Sequence, residues 1–181
     1  MQIRRLVMMS LLAGMSYALM FTLQIPLIPA APYLKFDPSD LPNLVGAFLL
    51  GPWAGIQIAL VKAALFLFTK GTSGPVGSIM NFLSSAVFVG VAGFIYKRRP
   101  GAFSAVVGMV LGGIAMTLAM IPVNYYWALS AYGIPKELQL DLIKTALAPF
   151  NLARGALSTA ITLPLFLTLS RALKKRGFSL A

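Results

Sequence analysis

The chain has 181 residues, a formal charge of +11, 59% hydrophobic residues and only 10% charged ones, where an ordinary soluble domain carries about 25% charged residues. That balance places one domain, 1–181, in a lipid bilayer. The basic residues sit between apolar runs rather than on a polar face, which favours charge facing anionic lipid over nucleic-acid binding. With no cysteine and no histidine, disulfides, thiol nucleophiles, imidazole acid–base chemistry and most transition-metal sites drop out.

The first apolar run, Leu6–Leu27, follows Arg4 and Arg5. It resembles a secretory leader, but it is long, and QIPLIPAAPYL after it offers a poor cleavage site, so a retained first transmembrane helix is expected. Next comes YLKFDPSDLPN, which holds two of the four acids of the chain, Asp37 and Asp40. Pro38 and Pro42 deny helix across this loop. Ser39 or Asp40 is suited to cap a short helix, Leu41–Leu50, which ends at the Gly51-Pro52 turn. Trp53–Phe68 follows, interrupted by Lys62; after KGTSGPVGS come Val76–Tyr96, ended by KRRPG, and Phe103–Leu129. SAYGIPKELQLD reads as a loop before a last segment, Leu142–Leu173.

The fold class expected is therefore an all-α integral membrane protein with six transmembrane helices, the second one short. Placing both termini in the cytoplasm puts Arg4, Arg5, Lys97, Arg98, Arg99, Arg171, Lys174, Lys175 and Arg176 inside. Lys35, Lys70, Lys136, Lys144 and all four acids, Asp37, Asp40, Glu137 and Asp141, then fall in outer loops. Neither H-E-x-x-H, G-x-S-x-G nor a P-loop occurs. With no acid expected at depth, neither an intramembrane enzyme nor a stand-alone carrier with a coupling-ion site is favoured.

Two cations remain at membrane depth, Lys62 and Arg154, where each costs roughly 2.5–3.5 kcal/mol to insert. Lys62 either snorkels outward or faces a cavity. Arg154 shares a helix face with Asn151 in APFNLARGA, and Pro149 loosens the backbone one turn earlier. An amide and a forked cation suit one ligand; the alternative is interhelical hydrogen bonding. MIPVNYYW repeats the pattern: Pro122, then Asn124, then Tyr125, which suits a planar heterocycle, while Tyr126 and Trp127 fit an interfacial belt. GSIMNF adds Gly77, which gives room, and Asn81, either glue between helices or part of a site. In the first helix, Ser10, Gly14 and Ala18 keep small-xxx-small spacing, which packs an internal neighbour or docks a partner subunit.

FDPSDLP leading into LVGAFLLGPWAG, then VKAALFLFTKG, GPVGSIMNF, PVNYYW and PFNLARGA, together resemble the substrate-binding S components of energy-coupling-factor (ECF) vitamin transporters, and among these the riboflavin-specific members. The resemblance implies high-affinity binding and uptake of riboflavin in the plasma membrane, alongside a transmembrane coupling subunit and two cytoplasmic ATPases, with riboflavin as cargo and no cofactor or metal. It places Asn124, Asn151 and Arg154 at the isoalloxazine and Leu34, Lys35 and Phe36 as a lid over the ring. It also casts Ser10, Gly14 and Ala18 as the stripe that meets the coupling subunit. Relatives commonly carry lysine where Arg154 stands and Asn where Ala63 follows Lys62. The resemblance leaves other vitamins or flavins (FMN, folate, pantothenate) as alternatives. A phosphorylated flavin wants more cations near its tail, which ranks FMN below riboflavin.

Overall fold

The computed structural model describes residues 2–28, 34–69 and 74–175, with side chains to 172. It is a bundle of helices in chain order: α1 (Gln2–Thr22), α2 (Asp40–Leu50), α3 (Pro52–Thr69), α4 (Gly74–Arg98), α5 (Ala102–Ala131) and α6, which starts at Lys136 and runs to Lys175. Five of these are long and apolar enough to cross a membrane; α2 is short and apolar. Within the described residues the fold is thus the expected six helices with a short second one.

The boundaries differ from expectation at two places. Helix α1 stops at Thr22, and Ile25–Pro26 pairs antiparallel with Lys35–Phe36, Ile25 opposite Phe36. A proline cannot continue the helical hydrogen-bond ladder, whereas a two-residue edge strand tolerates it. Helix α6 begins at Lys136 rather than Leu142, directly after Pro135, because a proline with extended backbone is a natural helix entry. Lys70 and Arg176, part of the expected charge map, lie outside the described residues.

Both long C-terminal helices contain a π-helical turn beside a proline. In α5 it covers Asn124–Ala128, two residues after Pro122, and the Leu129 N–H bonds the Asn124 carbonyl. In α6 it covers Ile143–Leu147, two residues before Pro149, and the Ala148 N–H bonds the Ile143 carbonyl. Each wide turn inserts one extra residue and so rotates the residues beyond it by about a quarter turn. This sets the direction in which the nearby asparagines face.

Close packing depends on glycine. A Cβ at Gly108 would stand 2.8 Å from the Ala92 carbonyl oxygen, and one at Gly112 would stand 2.6 Å from that of Phe88. The α5 backbone therefore lies directly on α4. Gly113 and Gly155 meet in the same way where α5 crosses α6, one residue past Arg154. The core between these helices holds Phe48, Phe88, Met109, Met116 and Phe166, with the Phe48 ring 4.8 Å from Tyr96 and 4.7 Å from Phe166.

The Arg5 guanidinium donates to the Leu50 carbonyl (3.2 Å), so the start of α1 and the α2–α3 turn share one end of the bundle. Gly51 makes that turn alone, at φ 96°, which glycine adopts without strain. Helix α1 packs on α2 and α3 through Ala13, Ser16 and Met20, while Ser10, Gly14 and Ala18 are exposed on its other side.

Candidate functional site

A buried charge cluster lies between the helices. Asp40, the first residue of α2, is completely buried. Its Oδ2 accepts from Arg154 Nε (3.1 Å) and Nη2 (2.7 Å) of α6. Its Oδ1 accepts from Ser85 Oγ of α4 (2.6 Å) and Asn43 Nδ2 (3.3 Å), and Lys62 Nζ of α3 lies 3.7 Å away. Lys62, also completely buried, donates to Ser39 Oγ (3.0 Å) and Ser85 Oγ (3.2 Å). Arg154 spends further N–H groups on Ser84 Oγ (2.8 Å) and Ser85 Oγ (3.0 Å). The Ser16 hydroxyl of α1 lies 2.7 Å from the Ser39 carbonyl oxygen and 2.9 Å from Asn43 Oδ1. Charges at this depth persist only when paired and hydrogen-bonded throughout, and each member here has partners on several helices.

Above the cluster opens a cavity of about 640 Å³, within the range of small-molecule sites. Arg154, Ser84 and Asp37 line its charged side; Asp37 Oδ1 accepts the Ser39 N–H (3.1 Å), which also shapes the loop. Three amides, Asn81, Asn124 and Asn151, line it from α4, α5 and α6. Asn124 Nδ2 donates to the Met120 carbonyl (2.7 Å), and its Oδ1 has no partner among the described residues. Asn151, mostly buried, makes no side-chain hydrogen bond among the described residues, and neither does Asn81 Oδ1. Buried amides without partners are rare in a finished core; amides facing a cavity are placed to meet a ligand. Of the five N–H bonds of Arg154, four are engaged and one on Nη1 remains.

The rest of the wall is apolar: Phe66, Met80, Met120, Leu129, Leu147 and Phe150, with Gly77 leaving room. Met20, Gln24, Leu34, Lys35, Tyr132 and Ile134 complete it, and exposure of Lys35 and Tyr132 marks the mouth. Partial burial pushes the Tyr132 hydroxyl above the ordinary tyrosine value, so it stays uncharged there. The arrangement suits a flat, uncharged molecule with hydrogen-bonding edges. Among the described residues there is no group of acids able to hold a metal ion.

The comparisons with known proteins agree with one another. The family model for the substrate-specific component of ECF transporters matches residues 4–166. The chain belongs to that family. The Staphylococcus aureus riboflavin transporter RibU is 36% identical, the match covering 96% of this chain and 94% of that protein. The Bacillus subtilis riboflavin transporter FmnP is 32% identical, with 93% of each covered. A solved structure described as the S component of a bacterial ECF transporter superposes with a TM-score of 0.86 at 33% identity, over 96% of this chain and 99% of that one. This ECF S component is accordingly a multi-pass protein of the cell membrane and a transporter component rather than an enzyme.

Within this S component, seven of the sequence-chosen residues meet at the cavity: Asn124, Asn151, Arg154, Asn81, Gly77, Leu34 and Lys35. Three do not line it. Phe36 is buried in the short strand opposite Ile25. Tyr125 turns away, packing edge-on against Tyr126 with Lys136 Nζ 5.6 Å above its ring. Lys62 lies below, inside the charge cluster, so it neither snorkels nor reaches the cavity.

Asp40 requires a correction. It does not sit in an outer loop as a helix cap. Ser39 occupies the cap position with no side-chain cap bond, and the Asp40 carboxylate turns inward to the two buried cations. Arg154 is correspondingly not a free cation awaiting a ligand. Asp37, assigned to an outer loop, is likewise buried and lines the cavity, and sequence reasoning passed over Asn43 and the Ser84-Ser85 pair. Their signal was present in part: Lys62 and Arg154 demand counter-charges at depth, and Asp40 directly adjoins the short apolar helix α2.

Proposed function

We propose that this chain binds riboflavin from outside the cell and takes it up as the S component of an ECF-type transporter, working with a transmembrane coupling subunit and two cytoplasmic ATPases. The observation that carries the reading is the convergence of Asn81, Asn124, Asn151 and Arg154 on a single apolar-walled cavity. Riboflavin is neutral and flat, with a uracil-like edge that both donates and accepts and ring faces that favour apolar walls. The transporters similar to this chain over nearly its whole length are named for riboflavin.

In this reading the cavity mouth faces outward and the basic ends of the helices, Arg5, Lys97 to Arg99 and Arg171, face the cytoplasm, in keeping with the positive-inside rule. The lid is Leu34 and Lys35, held by the strand pair and by Asp37. The exposed stripe Ser10, Gly14 and Ala18 on α1 meets the coupling subunit; small residues let another helix approach closely.

The deciding measurement is optical. Protein purified in detergent is expected to be yellow, or to quench the fluorescence of added riboflavin stoichiometrically at nanomolar to micromolar concentration. Colourless protein that leaves riboflavin fluorescence unchanged would rule the assignment out.

A further inference from the structure

Resting on the riboflavin reading, we infer that Asp40 is a positioning residue that, through Arg154, balances the charge beneath the pocket floor, so that the bound flavin is held in its uncharged form. Two cations and two carboxylates underlie the floor: Arg154 and Asp37 line the cavity, and Lys62 and Asp40 are buried behind them in the charge cluster. Formally these sum to zero. Arg154 reaches the cavity, yet its guanidinium is clamped from behind by both of its bonds to Asp40 Oδ2. It therefore meets the cavity as a cation already paired with a carboxylate. Ser84 and Ser85 of α4 add hydroxyls and no charge, Tyr132 at the mouth is an uncharged phenol common to every variant, and Lys35 there is solvent-exposed, where its field is screened.

The chemistry gives this balance a consequence. The uracil-like edge of a flavin carries an imide N–H between two carbonyls, a weak acid whose anion is spread over both oxygens. A lone buried guanidinium beside that edge would stabilise the anion. Paired with Asp40, it hydrogen-bonds a carbonyl of the neutral ring without drawing off the proton. Ionisation of the ligand imide thus reports the net charge of the floor. Removing Asp40 charge leaves the floor at a formal +1; removing that of Arg154 or Lys62 leaves it at −1. A unit charge about 12 Å away, at an effective dielectric near 20, moves such an equilibrium by about one pH unit, a tenfold change in the ionised fraction.

The test is an alkaline absorbance titration of flavin bound to the purified full-length protein, comparing wild type with Asp40→Asn, Arg154→Gln and Lys62→Gln. The expected result is opposite signs: the imide of bound flavin ionises at lower pH in Asp40→Asn and at higher pH in the other two, each by about one unit. A residue that only holds the fold together would shift all three variants alike or not at all, and either result overturns the inference. Should Asp40→Asn bind no flavin, the Arg154→Gln and Lys62→Gln variants still decide, since an unmoved or lowered ionisation in either also overturns it. Failure of the wild type to bind riboflavin is a separate result and removes the riboflavin reading itself.

Discussion

Asn151 and Asp40 are both buried polar side chains, but they have opposite relations to the fold. The side chain of Asn151 has no hydrogen-bond partner among the described residues and lines the cavity, so nothing in the folded protein depends on its amide. Asn151→Ala is expected to leave the protein folded and to weaken riboflavin binding about tenfold or more, since a directed hydrogen bond to the ligand is lost; fluorescence-quenching titration measures it, and unchanged affinity would assign the amide to helix packing. Asp40 by contrast joins α2, α3, α4 and α6 through one carboxylate. Cutting such a buried network on one side leaves uncompensated cations, at a cost of roughly 3–5 kcal/mol. The same physics explains why Lys62 and Arg154 are tolerated at depth at all: the cluster supplies charge and hydroxyl partners that lipid lacks.

Helices α5 and α6 place the amides through a shared device, a proline beside a π-helical turn. Proline removes one ladder hydrogen bond, and the wide turn absorbs the resulting mismatch inside the bundle, where backbone irregularity is tolerated when it lines a cavity. Asn124 opens one such turn and Asn151 follows the other by four residues. Below that level the helices must be rigid, and there the glycines dominate. Gly112→Val would drive a side chain into the Phe88 backbone carbonyl, 2.6 Å from the new Cβ. Backbone cannot step aside as a flexible side chain can, so a loss of roughly 1–3 kcal/mol is expected, seen as a lower thermal-unfolding midpoint in detergent; an unchanged midpoint would show that α4 and α5 separate there at little cost.

At the level of the whole molecule, α1 has two roles on its two faces. Ala13, Ser16 and Met20 hold it to the bundle, and Ser16 touches the loop that carries Asp37 and Asp40. Its opposite face, with Ser10, Gly14 and Ala18, is left open, and no heavy atom lies within 4 Å of a Cβ built at Gly14. Gly14→Trp is therefore expected to leave riboflavin binding by the isolated protein intact while abolishing uptake by cells that carry the complete transporter. If uptake survives, this face is not where the coupling subunit docks. The separation of binding from uptake has a geometric origin, because the cavity is walled by α3 to α6 and touches α1 only through Met20.

The class of protein was legible in composition alone. Low charge and long apolar runs leave a membrane bundle as the fold, and the short run before Gly51-Pro52 marked α2. Prolines followed by asparagines picked out Asn124 and Asn151, because a polar amide beside a helix breaker in lipid needs either a ligand or a neighbouring helix as its partner. These are local signals, carried by residues within a turn or two of each other. Three things were decided only by the tertiary structure. The partnership of Asp40 with Arg154 spans 114 positions, so nothing near Asp40 distinguishes it from a helix cap. Tyr125 lies within a π turn and packs against Tyr126 and Lys136 rather than lining the cavity, contacts that no local pattern announces. And which face of α1 is free could not be read from a helix apolar on every side: lipid and protein interior attract the same residues, and only contact with α2 and α3 separates them.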